Sequence, residues 1–127
     1  MIQAYDSEYL PPMPMVDIWL AVPDSGDWHG PLSAIVDTGA DFTIVPQSVL
    51  RLFNAPYLKR AVLKTPWSQK QPVGLYEVDL RIGKLVFPGI DVAGDRASTQ
   101  ILLGRNVLNR LDLRLEGPRL RTHILGE

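Results

Sequence analysis

Apolar and polar residues alternate along several short stretches of this chain, which is the pattern of β-strands that bury one face. Within residues 15–22, for example, Val16, Ile18 and Leu20 fall on one side of an extended segment. Similar or wholly apolar runs predict further strands at residues 32–36, 42–45, 61–64, 74–82, 85–92, 101–103, 111–116 and 120–125. The run at 85–92 is interrupted by a Pro-Gly pair. The chain is therefore predicted to be mostly β.

Two segments have helical character instead. Val49, Leu50 and Phe53 share one helical face just after Pro46, a residue suited to the first turn of a helix. Residues 106–110 have the length of one further helical turn. Many short strands with one or two brief helices predict an all-β fold, a small barrel or a sandwich.

The length of 127 residues fits one domain. Prolines at positions 11, 12 and 14 disfavour regular structure near the start of the chain. Residues 1–14 are therefore predicted to form an N-terminal arm, followed by a single domain over residues 15–127.

The composition of the chain argues against several kinds of binding partner. Thirteen Lys and Arg stand against 14 Asp and Glu without a long basic run, so no nucleic-acid partner is expected. No stretch reaches the roughly 20 apolar residues of a membrane-spanning helix, and the N-terminus lacks the pattern of a signal peptide. Cysteine is absent and His29 and His123 are isolated, so neither a metal site nor a cofactor is expected. We expect a protein of the cytoplasm, without a membrane partner.

Candidate chemistry lies where the apolar run 32–36 leads directly into Asp37-Thr38-Gly39. A carboxylate in this position can project from a tight loop into a cleft. Glycine lets the loop backbone pass close to its neighbours, and the threonine hydroxyl can form a hydrogen bond across the loop. An ordinary turn after a strand would use the same residue types, so the triplet alone is a weak signal.

Acid–base hydrolysis of a peptide needs two carboxyl groups, one to activate water and one to protonate the carbonyl oxygen. The only other similar triplet, Asp24-Ser25-Gly26, follows Pro23 in a polar cluster and is interpreted as a turn. A second carboxylate would then have to come from another copy of the chain. A two-fold axis would bring Asp37 against its own symmetry mate.

Two segments together carry a family resemblance. Residues 34–41, AIVDTGAD, resemble the active-site strand of the retroviral proteases, and residues 101–108, ILLGRNVL, resemble their hydrophobic–hydrophobic–Gly–Arg–Asn motif. They follow the family's order at a similar separation. The likeness spans roughly residues 16–116 and is closest to the retropepsin-like aspartic proteases, including their bacterial members. It implies a small closed β-barrel with one or two short helices, assembled as a two-fold homodimer.

The resemblance also implies roles for individual residues. Asp37 would be the catalytic acid/base, and Thr38, Gly39 and Ala40 would form the active-site loop. Thr38 would reach across the dimer axis, and Gly39 would also contact the substrate backbone.

A supporting pair is implied as well. Arg105 would pair with Asp41, so that each charge has a partner if the pair is buried. Asn106 would form a hydrogen bond near Thr43, and Gly104 would allow close packing under the active-site loop.

The segments 61–64 and 74–82 flank a polar tip and predict a hairpin, which in this family is the flap that closes over the substrate. The tip departs from the glycine-rich family pattern. Candidate flap and substrate contacts are Trp67, Val73, Gly74 and Leu75. Trp67 is equally suited to the wall of a substrate pocket and to packing on the inner face of the hairpin.

These observations favour a homodimeric aspartic endopeptidase that acts on a peptide or protein substrate. One alternative is a catalytically weak or inactive retropepsin-like module for dimerisation or peptide binding, which the unusual tip motivates. Another is a small β-barrel binding protein with a coincidental Asp-Thr-Gly triplet, which predicts a monomer.

Overall fold

The computed structural model describes residues 1–64 and 70–126. Within them lie the strands β1 (Ile2–Ala4), β2 (Met15–Ala21), β3 (His29–Val36), β4 (Thr43–Pro46), β5 (Tyr57–Lys64), β6 (Lys70–Ile82), β7 (Leu85–Asp95), β8 (Ile101–Leu103), β9 (Asp112–Glu116) and β10 (Arg121–Leu125). The two short helices are α1 (Gln47–Leu52) and α2 (Arg105–Leu108), and Gly117–Arg119 forms a 3₁₀ turn.

Six strands close into a barrel. Their order is β2-β3-β8-β4-β7-β6, and β6 pairs back onto β2 through Leu20 opposite Leu80. Closure leaves these six strands without a free edge. β5 lies outside the barrel, as a seventh strand paired with β6. The predicted mostly-β barrel with short helices is confirmed.

The alternating positions of the sequence form the barrel core. Val16, Ile18 and Leu20 of β2 are completely buried, as are Val45 of β4 and Val92 of β7. Burial of such side chains is worth about 1.5–3 kcal/mol each, which is the main reason that this register is preferred.

The predicted break at Pro88-Gly89 is a β-bulge inside β7. Val78 pairs with Ile90 and Leu80 with Phe87, so Asp79 alone faces the two bulge residues. Gly89 has a φ of +63°, which suits glycine, and its N–H donates to the buried Asp79 carboxylate at 2.9 Å. The strand therefore continues to Asp95 and does not end at the Pro-Gly pair.

The base of a hairpin is present where the sequence predicted one. β5 pairs with β6 from Tyr57 opposite Tyr76 to Lys64 opposite Lys70. β6 pairs with β7 only from Gly74 onward. Residues 70–73 are thus held by β5 alone, and we call the paired segments 57–64 and 70–76 the β5–β6 ribbon.

The chain ends form a second sheet of three strands in the order β1-β10-β9. β1 lies within the segment that the sequence predicted to be irregular. The Met1 ammonium donates to the Ile124 carbonyl, and Gln3 exchanges hydrogen bonds with Asp17 of β2. Pairing with a distant strand therefore orders a segment that is too short to be predicted as a strand from its own sequence. No helix of the described residues is long and apolar enough to cross a membrane.

Glu116 gives this terminal sheet a pH dependence. A hydrogen bond from Arg121 lowers the pKa of the Glu116 carboxyl from its ordinary value of 4.5. Partial burial opposes this shift, and the charges of Arg121, Arg119 and His123 add to it. Because the folded-state pKa lies below the unfolded one, the stabilisation is present above pH 4.5 and is lost as the pH falls through the folded-state value.

We therefore expect Glu116→Gln to flatten the acid dependence of stability. The melting temperature of the native protein should fall more between pH 6 and pH 3 than that of the variant. The other carboxylates contribute to both proteins, so the difference between the two curves isolates Glu116. Parallel curves would show that the Arg121 contact does not stabilise the folded chain.

Candidate active site

Two parallel strands bring the Asp37 loop and the Gly104 turn together. Val36 at the end of β3 pairs with Leu103 at the end of β8, and the Asp37 N–H donates to the Leu103 carbonyl at 3.1 Å. Because parallel strands end at the same edge of a sheet, the residues that follow each strand become neighbours. This places the two sequence motifs, 64 residues apart at Asp41 and Arg105, side by side.

The loop is shaped by its own short hydrogen bonds. The Gly39 N–H donates to Asp37 Oδ1 at 3.0 Å, and the Ala40 N–H donates to the Asp37 carbonyl at 3.2 Å. Asp37 is partly buried, whereas Thr38 and Gly39 are exposed. Within the described residues, Asp37 Oδ2 has no hydrogen-bond partner. One carboxylate oxygen therefore fixes the turn and the other remains available.

Arg105 holds the loop at three points. Its guanidinium contacts Asp41 Oδ1 through Nη2 and donates to the Thr38 carbonyl at 2.6 Å through Nη1. Its backbone N–H donates to the Ala40 carbonyl at 2.8 Å. The predicted pair of Asp41 and Arg105 is thus in contact, but it is not buried in the single chain, because the side chains are 60% and 42% exposed. An ion pair this exposed adds at most about 1 kcal/mol to stability, so its main effect is on the shape of the loop.

Beneath the loop, a buried network joins β4 to α2. Thr43 is completely buried, and its N–H and its hydroxyl both donate to Asn106 Oδ1 at 2.9 Å. The same hydroxyl accepts the Gly104 N–H at 3.1 Å. Asn106 Nδ2 donates to the Asp91 carbonyl at 2.9 Å. The contact expected between Asn106 and Thr43 is present, and buried groups this well satisfied make a rigid floor.

Gly104 lies against backbone. A Cβ on this residue would be 2.4 Å from both the carbonyl carbon and the oxygen of Phe42. The backbone at Gly104 is extended, with φ −90° and ψ 178°, so other residues could adopt its conformation. Glycine is therefore required here by close packing, as the family resemblance implied.

An apolar cluster links the ribbon to the neighbourhood of the loop. Val73 and Leu75 of β6 and Ala93 of β7 are buried together and pack against Ile44 of β4. Ile44 pairs with Leu102 on one side and with Ala93 on the other. The cluster therefore extends from the inner face of the ribbon toward the strands that precede Asp37 and Gly104.

The predicted flap residues do not share one face. Val73 and Leu75 are 9% and 5% exposed and belong to the apolar cluster. Gly74 lies between them and so points to the opposite face, where the rings of Tyr57 and Tyr76 border it. Trp67 lies outside the described residues.

Sequence reasoning missed one partner of this site. The Asp91 carbonyl that anchors Asn106 carries no sequence signal, because every residue has a carbonyl. The described part of the chain contains no group of three or more His, Cys, Asp or Glu side chains arranged to hold a metal ion.

Comparisons with known proteins fit this geometry. Residues 28–110, more than half of the chain, match the family model described as "gag-polyprotein putative aspartyl protease". The structure is similar to the crystal structure of a retropepsin-like aspartic protease from Rickettsia conorii, with a TM-score of 0.60 and 19% sequence identity over 98% of this chain and 88% of that chain. Identity at this level shows a common fold. No curated protein matches the sequence.

Proposed function

The chain belongs to the gag-polyprotein aspartyl protease family, the retropepsin-like aspartic proteases, and we propose that it is an endopeptidase whose catalytic site is assembled from two copies of the chain. The observation that carries this proposal is the Asp37 loop. It has one free carboxylate oxygen, exposed neighbours at Thr38 and Gly39, and a rigid support through Arg105 and Asn106.

The proposed reaction uses the two Asp37 carboxyl groups and water. Two carboxyls that face each other cannot both ionise at low cost, so the pair shares one proton. The ionised carboxyl takes a proton from water, the oxygen of which attacks the scissile carbonyl carbon, while the protonated carboxyl donates to the carbonyl oxygen. The tetrahedral intermediate then breaks its C–N bond as a proton passes to the leaving nitrogen. The products are a carboxylic acid and an amine, without a covalent enzyme intermediate.

The free edge of β9 supports assembly with a second copy. β9 pairs with β10 on one side and with no strand of the described residues on the other. Leu115 on this edge is 49% exposed. An antiparallel pairing of β9 with its own copy, centred on Leu115, would set Arg114 of one chain opposite Glu116 of the other. Backbone pairing and opposite charges would both favour this contact.

The substrate is proposed to be an extended peptide with apolar side chains near the scissile bond. The apolar cluster around Val73, Leu75 and Ile44 supports this proposal, because its inner face continues toward the Asp37 strand. The β5–β6 ribbon would cover the bound peptide, as flaps do in closing active sites. Trp67 remains a candidate contact of this cover, whereas Gly74 lies on the opposite face of the ribbon from Val73 and Leu75.

Mixing native protein with the Asp37→Asn variant tests the shared site. After subunit exchange in an equal mixture with the same total protein concentration as the native sample, about one quarter of the dimers carry two Asp37 residues, so cleavage of an apolar peptide should fall to about one quarter of the native rate. A site contained within one chain would leave about one half. Mass spectrometry of the intact dimers checks that exchange is complete.

The same experiment distinguishes the shared catalytic site from the alternative, a module for dimerisation or peptide binding. That alternative predicts dimers that bind the peptide and do not cleave it in any mixture. Sizing that shows only monomer at high concentration would contradict both the shared site and the module.

A further inference from the structure

A cavity of about 540 Å³ opens at the base of the β5–β6 ribbon. Its walls come from the ribbon, from the end of β7 with the turn that follows, and from the start of α1. None of the lining residues belongs to the Asp37 loop or to the Arg105 network. Its volume lies within the range of about 300–1,000 Å³ that is usual for small-molecule sites.

Two glycines let tyrosine rings pack closely against the sheet at the wall of this cavity. Gly74 and Gly94 are directly paired across β6 and β7. A Cβ on Gly94 would lie 2.7 Å from Cε1 of Tyr76, and one on Gly74 would lie 3.0 Å from Cε2 of Tyr57. The two rings meet edge to face with centroids 5.5 Å apart. The tyrosines thus form an aromatic wall where two side chains are absent.

Two arginines that line the cavity have no partner among the described residues. Arg60 lies opposite Gly74 on β5, and Arg96 follows the end of β7. Among residues 1–64 and 70–126, neither guanidinium forms a hydrogen bond or an ion pair. Asp95 also lines the cavity, and its Oδ1 accepts the Ala97 N–H at 3.0 Å. Two positive charges and one negative charge therefore border the space.

A further donor is available from Tyr76. The Gln47 amide donates to the Tyr76 hydroxyl oxygen at 3.2 Å, which leaves the phenol hydrogen free to donate to a ligand. The polar groups that converge on the cavity are thus mainly donors, which select an acceptor-rich ligand.

We propose that this cavity binds a small organic anion. Its carboxylate or phosphate group would pair with Arg60 and Arg96, because a guanidinium fork matches the geometry of an oxyanion. Its apolar part would lie against the rings of Tyr57 and Tyr76. Such a ligand would tie β5 to the turn after β7 and so fasten the base of the ribbon to the barrel.

Titration calorimetry with phenyl phosphate, benzoate and the neutral benzyl alcohol tests this site. At least one of the two anions should bind, benzyl alcohol should bind at least about tenfold more weakly, and the stronger anion identifies the preferred group. The Arg60→Gln/Arg96→Gln double variant should lose at least about tenfold in affinity. Arg51→Gln, an exposed arginine on α1 outside the cavity, is the control with the same type of charge change and should bind as the native protein does.

Asp95→Asn gives a result in the opposite direction. The variant keeps the oxygen that accepts the Ala97 N–H but removes the negative charge, so the anion should bind more tightly. This variant keeps the test decisive if the double arginine variant does not fold. Asp37→Asn should bind the anion unchanged, which separates this site from peptide cleavage. No anion binding by native protein, or equal affinity in the native and double-variant proteins, would overturn the proposal.

Discussion

Asp37→Asn is expected to lower kcat/KM for peptide cleavage by a factor on the order of 10² to 10⁴, the size of effect that loss of general acid–base catalysis produces. The amide cannot take a proton from water, and it does not share a proton with the second carboxyl. The fold should be retained, because the asparagine oxygen can still accept the Gly39 N–H. The free energy of unfolding of each chain should therefore change by no more than about 0.5 kcal/mol.

Asp24→Asn is the matched control for this substitution. Asp24 begins the triplet Asp24-Ser25-Gly26, which is similar to the Asp-Thr-Gly triplet of the loop. Its φ of +64° is a conformation that asparagine also tolerates. Its backbone N–H donates to the Asp79 carboxylate at 2.9 Å, and its side chain forms no hydrogen bond within the described part of the chain. Cleavage should match that of the native protein. If Asp37→Asn keeps more than about a tenth of native kcat/KM, the Asp37 carboxyl is not the group that activates water.

Dimerisation gives this substitution a second readout. In the proposed assembly, two Asp37 carboxyls face each other, and ionisation of both opposes association. Asp37→Asn should therefore dimerise at least as tightly as the native protein, while it loses activity. Ultracentrifugation over a range of concentrations measures this effect. Loss of cleavage together with loss of the dimer would instead place Asp37 in assembly.

The local part of the site could be predicted from the sequence. A strand that runs into Asp37-Thr38-Gly39 is a local signal, because strand, turn and carboxylate are adjacent in the chain. The contact with Arg105 is not local. It depends on β3 and β8 being parallel neighbours, which periodicity does not predict; the family resemblance suggested only that Arg105 and Asp41 pair.

Elements that depend on pairing with distant strands are harder to predict from the sequence. β1 has only three residues, too few for a pattern to predict a strand, and it is a strand because β10 pairs with it more than 110 residues later. The Pro88-Gly89 pair predicts an interruption of the strand, but in the structure it forms a bulge within β7. It persists within β7 because Asp79, on the neighbouring strand, accepts the Gly89 N–H.

The cavity beside the ribbon had no sequence signal. Gly74 was interpreted as a flap residue like Val73 and Leu75, although strict alternation puts it on the opposite face. Its aromatic wall depends on Tyr57 and Tyr76 packing against Gly74 and Gly94, and the two glycines become neighbours only through the pairing of β6 with β7. Contacts between separate strands of this kind cannot be predicted from the local sequence.

Gly104→Ala is expected to destabilise the protein by about 2–4 kcal/mol, a large part of the roughly 5–15 kcal/mol that stabilises a typical domain. The added methyl group would overlap the Phe42 carbonyl at 2.4 Å and approach the Thr43 nitrogen to 2.8 Å. These are backbone atoms, so no side-chain rotation can relieve the overlap. Separation of the two segments would also stretch the bond between the Gly104 N–H and the Thr43 hydroxyl.

Gly117→Ala is the control that distinguishes this clash from a general cost of replacing glycine. Apart from its two chain neighbours, a Cβ at Gly117 would meet no atom within 4 Å, so Gly117→Ala should lower the free energy of unfolding much less than Gly104→Ala does. Urea unfolding measures both variants, and the midpoint should fall much more for Gly104→Ala. The folded fraction of that variant should also cleave peptide poorly, because Phe42 follows Asp41 and any shift of its backbone moves the Asp37 loop. Equal midpoints for the two variants would mean that the loop and the Gly104 turn can separate without cost, and the rigid support proposed for Asp37 would then be wrong.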